Sequence, residues 1–556
     1  MKKNKKSKKV EIDEIPLGEK LEILRKGLDI DIEDLQKQIS LNLIELNKQY
    51  QSRFGEDRII TRNYWRKFTN LYKEDDLILL GWANFSDFKK DVLGEARPKI
   101  NRRNLQIVGD DSDIEKERWY FVTSLSAGDS VNWDFKSAID TFCKEKNAKL
   151  IIMAMRGCIS SDEEYEEENY NKLAPYLHTH YIINNNLHII DDMSNPQQFI
   201  PLTSMDRLRH SNQILAHPKF EFKSLSVEKN KYPHILHTTG SIGNGNTYRP
   251  VRSGYISAED HCLGGIIIHV IDSERFHIRQ VLFDKVSNSI TDLGIKYSSN
   301  GKISKNYPKA IYLGDYHTDC TDPQAREATI RMINKLNIPV ALSGDVFSGR
   351  SISHYEKNNM KAILDRPENV STLEKELDLM GEELNYLLSN CKNLNFKVIK
   401  GNHDIWLDNY LKFSTYANDP NNIKLAVKLA SVLFDGQNPA EYYIKNKFPK
   451  IADRLEFFKE STSYKISGIE LGQHGHQNQE GLRVSRRGIQ NSFINGVFGH
   501  VHSPGIFRGA WFVGTLGSRI GHYMSGFGSS HLHTNCLVYE NGTRQLINII
   551  DGRYED

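Results

Sequence analysis

Short clusters of histidine, aspartate and asparagine recur from residue 314 onward, each directly after an apolar run that reads as a β-strand. In order they are Gly314-Asp315-Tyr316-His317, Gly344-Asp345, Gly401-Asn402-His403-Asp404, Gln473-His474-Gly475-His476 and Gly499-His500-Val501-His502. No other feature constrains the fold as much. Ligand-type side chains at the ends of apolar strands require a sheet that gathers those ends on one side. In open α/β sheets that place is the carboxyl end of the strands.

The flanking pattern agrees. Ala310 to Leu313 reads as a strand leading to Asp315, and Asp322 to Leu336 as a helix. Val340 to Leu342 leads to Asp345, and Val370 to Cys391 has helical periodicity. Phe396 to Ile399 leads to Asn402, Ile466 to Leu471 to His474, and Gly496 to Phe498 to His500. This alternation defines an α/β domain over residues 300–556.

At 556 residues the chain is too long for one core and is expected to form about three domains. Residues 1–14 form a basic tail, with six lysines between Met1 and Lys9. Val10-Glu11-Ile12-Asp13-Glu14 follows in place of an apolar segment, so a secretory signal is not expected. Residues 15–97 carry apolar stripes at helical spacing. Thr61 is placed to cap a helix bearing Arg62, Arg66 and Lys67, so a helix-turn-helix and a plain helical packing module are both open readings. Residues 98–117 read as a polar linker.

Residues 118–299 read as an α/β module of unassigned role. Trp119 to Val122, a helix over Asp134 to Glu145 and a strand over Leu150 to Met155 have β-α-β spacing, which argues for parallel strands. Further strands are expected at Leu187 to Ile190, His234 to His237, Gly265 to Ile271 and Phe276 to Phe283, the last two as a hairpin. The Gly-rich segment Thr238 to Thr247 lacks the Gly-Lys-Ser/Thr of a phosphate-binding loop and reads as a flexible connection rather than a phosphate cradle.

A net charge of +2 with 26% charged residues does not indicate a strongly basic nucleic-acid binder, so any basic surface is local. No apolar run reaches the roughly 18 residues of a membrane helix, and no membrane association is expected. The six cysteines are scattered without a CxxC pair, as expected of reduced thiols in a cytoplasmic protein.

The clusters themselves supply what two adjacent divalent ions need: a carboxylate able to bridge, and a mixture of oxygen and imidazole donors. Asp315 and His317 alternate along one extended stretch, as do His500 and His502, so each pair faces one side. Asp345 is suited to bridge, Asn402 offers a neutral amide oxygen, and His474 adds an imidazole.

In order and residue type these motifs resemble the calcineurin-like metallophosphoesterases, whose catalytic domain is a β-sandwich flanked by helices. The resemblance covers about residues 305 to 520. It implies that Asp315, His317, Asp345 and His502 hold one ion, and Asp345, Asn402, His474 and His500 the other. It also implies that His403 stabilises the transition state or protonates the leaving oxygen, with Asp404 orienting its ring; His476 is the less favoured ligand of its pair.

Gly344-Asp345-Val346-Phe347 is similar to a motif of the double-strand-break repair nucleases and bacterial SbcD, as is Val513 to Arg519 to their segment after the last histidine pair. Those nucleases carry a histidine where this chain has Ser348. Whether His354 replaces it is left open, and Arg350-Ser351 is placed to contact a phosphate. The whole layout, including His217-Pro218-Lys219 and His237-Thr238-Thr239-Gly240, resembles the pre-early DNA-transfer and host-DNA-degradation proteins of T-odd coliphages.

The resemblance therefore implies a two-metal DNA nuclease acting on double-stranded DNA in an infected bacterial cytoplasm. Mn²⁺ is the expected ion, with Mg²⁺, Fe and Zn²⁺ chemically compatible, and a homo-oligomer is the expected assembly. Two other readings stand beside it: a protein phosphatase or small-molecule phosphodiesterase with the same dinuclear site, and a DNA-binding or host-interaction protein whose metal site is secondary.

Overall fold

The computed structural model describes residues 118–158 and, apart from 191–194, 206–210, 521–527 and a few isolated positions, residues 171–555; before residue 171 it otherwise describes only the backbone of Lys99–Asn101 and Glu164–Glu166. The basic tail, the helical region over 15–97 and most of the linker thus lie outside the described residues. Every element below belongs to one compact unit within residues 101–164 and 173–556.

The unit is mixed α/β with several sheets. A six-stranded sheet runs in the order Leu455–Phe457, Asn395–Val398, Val340–Ser343, Ala310–Tyr312, His533–Val538, Arg544–Ile549. Its first four strands are parallel, and His533–Val538 runs antiparallel between Ala310–Tyr312 and Arg544–Ile549. Every parallel connection needs a crossover, and helices supply them: Pro323–Lys335, capped by Asp322 with proline in its first turn, and Leu373–Asn390, capped by Thr372.

Alternation along the strands sorts their side chains between two cores. Ile311, Ala341, Phe396 and Leu537 join Leu377, Met380 and Leu384 of the crossover helix in one. Ala310, Tyr312, Leu342 and Val538 join Val497, Trp511 and Val513 of a second sheet in the other. The six-stranded sheet is thus covered by helices on one face and by another sheet on the opposite face.

That second sheet has ten strands and joins the two halves of the sequence. Gly505–Phe507, between His502 and the end of the chain, pairs antiparallel with Glu221–Leu225. Residues 118–299 and 300–556 therefore share one sheet and one core, and the expected boundary near residue 300 separates no compact bodies. A five-stranded sheet holds the strands Arg118–Ser126 and Lys149–Met155, parallel as expected, and the hairpin of Gly264–Val270 with Phe276–Leu282.

Two segments differ from their sequence reading. Ile466 to Leu471 is not one strand; Ser467 and Gly468, both with positive φ, turn the chain between two-residue strands. The Gly-rich segment is a fixed turn. The Ile242 N–H donates to Ser124, and the amides of Gly245 and Asn246 donate to the buried Asp129 carboxylate at 3.0 and 3.1 Å. With those amides already bonded, it is neither a flexible loop nor a phosphate cradle. All six cysteines are unpaired with one another, and no helix among the described residues is long and apolar enough to cross a membrane.

Candidate metal centre

The parallel strands end on one side, and the five clusters begin there. Tyr312, at the end of its strand, donates its hydroxyl to the Gln473 carbonyl at 3.0 Å and so ties the two sheets together beneath the clusters. Thr515 pairs in parallel with Asp315, and the Asn535 side chain accepts from the Gly314 amide at 3.0 Å. The Asp315 loop is thereby fixed from both flanks.

Two groups of ligand atoms result. Asp315, His317 and His502 form one, with all three donor atoms within 4.8 Å of one another. Within it the Nε2 atoms of His317 and His502 face each other at 3.1 Å, and His502 Nε2 lies 3.1 Å from Asp315 Oδ2. Asp345, His474 and His500 form the other, with His474 Nε2 2.9 Å from Asp345 Oδ2. A third grouping, His317, Asp345 and His403, links them. Asp345 thus belongs with ligands of both sides, the position a bridging carboxylate must occupy.

Asn402 sits between Gly401, which lies against Asp345, and His403, whose amide donates to Asp345 Oδ1 at 3.2 Å. Its side-chain oxygen is buried without a hydrogen-bond partner, as are Asp315 Oδ1 and His474 Nδ1. Acceptor atoms buried and unbonded are costly. Two imidazole nitrogens aimed at each other, beside carboxylates, likewise call for a cation between them. The residues present fit metal ions.

Electrostatics favour the ligating forms of His317, His500 and Asp345, whereas at His474 burial is outweighed by the Asp345 and Asp315 carboxylates, which push the ring up to about 9, so an ion bound there must displace its proton. Burial, with neighbouring imidazoles, drives His317 well below the ordinary histidine range and His500 down to about 4, leaving neutral rings. Although burial opposes its ionisation, Asp345 is held well below the carboxylate range by His474 and His403.

Four of these ligands lie in the left-handed backbone region, so the Asp315–His317 and His500–His502 stretches are not extended as their spacing suggested. His317, Asp345, His500 and His502 all have positive φ, at 45°, 43°, 69° and 52°. Non-glycine residues adopt this region at a cost of about 1–3 kcal/mol each, and such strain gathers at functional sites.

The glycines that precede the ligands have an unexpected part. A Cβ on Gly344 would sit 2.2 Å from His474 Nδ1, one on Gly401 2.0 Å from Asp345 Oδ1, and one on Gly499 2.1 Å from Asp315 Oδ1. In these three motifs the glycine makes room for a ligand from another motif, so the clusters interlock. Their common Gly-X pattern could have signalled this.

His403 lies beside the second group, its Nε2 3.8 Å from Asp345 Oδ2. Its ring is not oriented by Asp404. The Nδ1 atom is hydrogen-bonded to the Ser348 carbonyl, and Trp406 packs on the ring with centroids 4.1 Å apart. Asp404 instead accepts from the Gly401 amide at 2.9 Å and caps the helix Asn402–Lys412. Burial and the nearby Asp345 push its carboxyl up to about 7.

His354 contacts the far partner of that stack, its ring 5.5 Å from Trp406. Arg350 is not free for a phosphate: its side chain is buried against Asp319 and Glu356, and the amides of Arg350 and Ser351 both donate to Glu376. His476 packs on His474 and His500, its two ring nitrogens buried without hydrogen-bond partners. Sequence reasoning missed Trp406 and His531, whose ring lies 5.0 Å from that of His502.

No family model matches the chain, and no solved structure matches it. Among curated proteins it is similar to "Protein A1" of Escherichia phage T5, with 24% identity over 362 residues. The match covers 60% of this chain and 62% of that protein, so it spans less than two thirds of the relative's length. The chain thus resembles a bacteriophage protein and carries His/Asp clusters able to bind metal ions.

Proposed function

We propose that this protein is a two-metal-dependent nuclease that hydrolyses phosphodiester bonds of DNA, phage-encoded and acting in the host cytoplasm. The observation that carries the reading is the convergence of Asp315, His317, Asp345, His474, His500 and His502 in groups that share Asp345, with His403 at the edge and the buried, unpartnered oxygen of Asn402 next in the chain to Gly401, which lies against Asp345. Two divalent ions, Mn²⁺ foremost, would neutralise phosphate oxygens there and make a bound water acidic enough to attack near neutral pH. The three parallel strands that lead to Asp315, Asp345 and Asn402 support a calcineurin-like arrangement of the catalytic half.

The chain's own residues supply orientation and a proton. With Nδ1–H directed at the Ser348 carbonyl, His403 presents Nε2 to the site. In its protonated form that atom donates to the departing oxygen, and Trp406 limits rotation of the ring. The resemblance to Protein A1 supports a phage setting.

Purified protein with Mn²⁺ and linear or plasmid DNA tests the reading. Release of nucleotides or nicked product, lost in His403→Ala and in Asp345→Ala, is the expected result. Hydrolysis of phosphoproteins or small phosphodiesters with DNA untouched would replace it with the phosphatase or phosphodiesterase reading. Full biological activity in Asp345→Ala would make the metal site secondary.

A further inference from the structure

A cavity of about 300 Å³ lies where strands from the two halves of the sequence meet. Its walls include Trp511 and Phe220, with Phe199 at its mouth. Phe199 is half exposed, and three cations surround its ring: Arg508 at 5.5 Å, Lys219 at 5.9 Å and Arg487 at 5.9 Å from the centroid. Arg544 covers the Trp511 ring at 4.6 Å.

We propose that this cavity binds one nucleoside monophosphate unit, its base against the aromatic walls and its phosphate at the Arg487–Arg508 rim. The inference rests on the nuclease reading for the origin of the nucleotide. Aromatic faces with interleaved cations are the elements that hold unpaired bases without sequence preference. The interior is not net basic, because Asp260 and Glu221 line it with Lys219 and Arg544. That balance suits a neutral base with both donors and acceptors.

Two polar atoms of the wall, Arg544 Nε and Asp260 Oδ2, are buried without a hydrogen-bond partner, one donor and one acceptor. Arg508 is held in place by Asp260 at 2.7 Å and has a positive φ of 53°. It stands at the turn between Gly505–Phe507 and Ala510–Phe512, the hairpin that follows His502 directly. That hairpin is roughly 10 Å long at three residues a strand. One strand of nucleic acid could therefore meet both places.

The test measures binding without turnover, in full-length Asp345→Ala protein, by anisotropy of a fluorescein-labelled single-stranded oligodeoxynucleotide. Phe199→Ala is expected to weaken binding roughly ten-fold, the effect of losing one stacked base. Arg487→Ala, at an exposed position, is expected to weaken binding and to lower its salt dependence. A 5-iododeoxyuridine oligonucleotide should crosslink to Phe199 or Trp511. Displacement by free dAMP assigns the cavity to a released nucleotide; resistance to it assigns the cavity to a nucleotide within a strand. Unchanged affinity in Phe199→Ala, Phe199→Leu and Arg487→Ala, with no crosslink, overturns the proposal. DNA cleavage with binding independent of Phe199 would sink this inference alone; binding through Phe199 with no cleavage would sink the nuclease reading alone.

Discussion

Replacing Gly401 by alanine adds one methyl group at the tightest point of the interlocked glycines. The backbone accepts it: Gly401 has φ −96° and ψ −177°, an extended conformation open to any residue. The new carbon would lie 2.0 Å from Asp345 Oδ1 and 3.0 Å from the Asp345 amide. Real contacts of this kind stay beyond 3.0 Å, so the carboxylate must retreat by at least 1.0 Å. A misplacement of about 1 Å in a catalytic constellation costs about 10²-fold in rate, near 2.7 kcal/mol. The overpacking itself costs about 1–3 kcal/mol of stability.

The assay is the initial rate on bis(p-nitrophenyl) phosphate with Mn²⁺, with a thermal melt and metal content on the same sample. Gly436→Ala is the control: it meets open space but keeps a φ of 80°. It should cost about 1 kcal/mol of stability and leave turnover intact. A Gly401→Ala protein with wild-type rate and full metal content would refute the placement of Asp345 against this glycine.

His403→Ala should retain metal and lose about 10²–10⁴ in turnover, measured by metal analysis beside the DNA cleavage rate. Asp345→Ala should lose metal as well. Arg279 and Asp292 form a buried two-bond ion pair at 2.7 and 2.8 Å, so Asp292→Ala should cost about 3–5 kcal/mol in denaturant unfolding. Burial raises Asp129 from 3.8 to about 7, so the folded state binds its proton more tightly than the unfolded chain. Its contribution is therefore full below pH 4 and is lost as pH rises to about 7, by roughly 4 kcal/mol in total. Asp129→Asn should remove that slope from the difference between the two unfolding curves.

The strand ends that carry the candidate ligands were legible because short apolar runs and donor residues are both local signals. Ala310–Tyr312, Val340–Ser343 and Asn395–Val398 announce themselves by short apolar runs before Asp315, Asp345 and Asn402. The hairpin around Asp272 to Arg275 was equally visible. The pairing of Gly505–Phe507 with Glu221–Leu225 was not, because a contact between strands so far apart in sequence leaves no trace in either.

The roles around His403 were hidden for a different reason. Ser348 acts through its carbonyl, which every residue possesses, so its identity carried no signal. Asp404 read as an orienting carboxylate because it follows the histidine. In the fold, the position three residues after Gly401 turns it back to the helix N-terminus.

The most direct measurement is anomalous diffraction from a crystal soaked in Mn²⁺. The account predicts two peaks about 3.5–4 Å apart with Asp345 between them, one beside Asp315, His317 and His502, the other beside Asn402, His474 and His500. A single peak, or peaks away from these side chains, would contradict it.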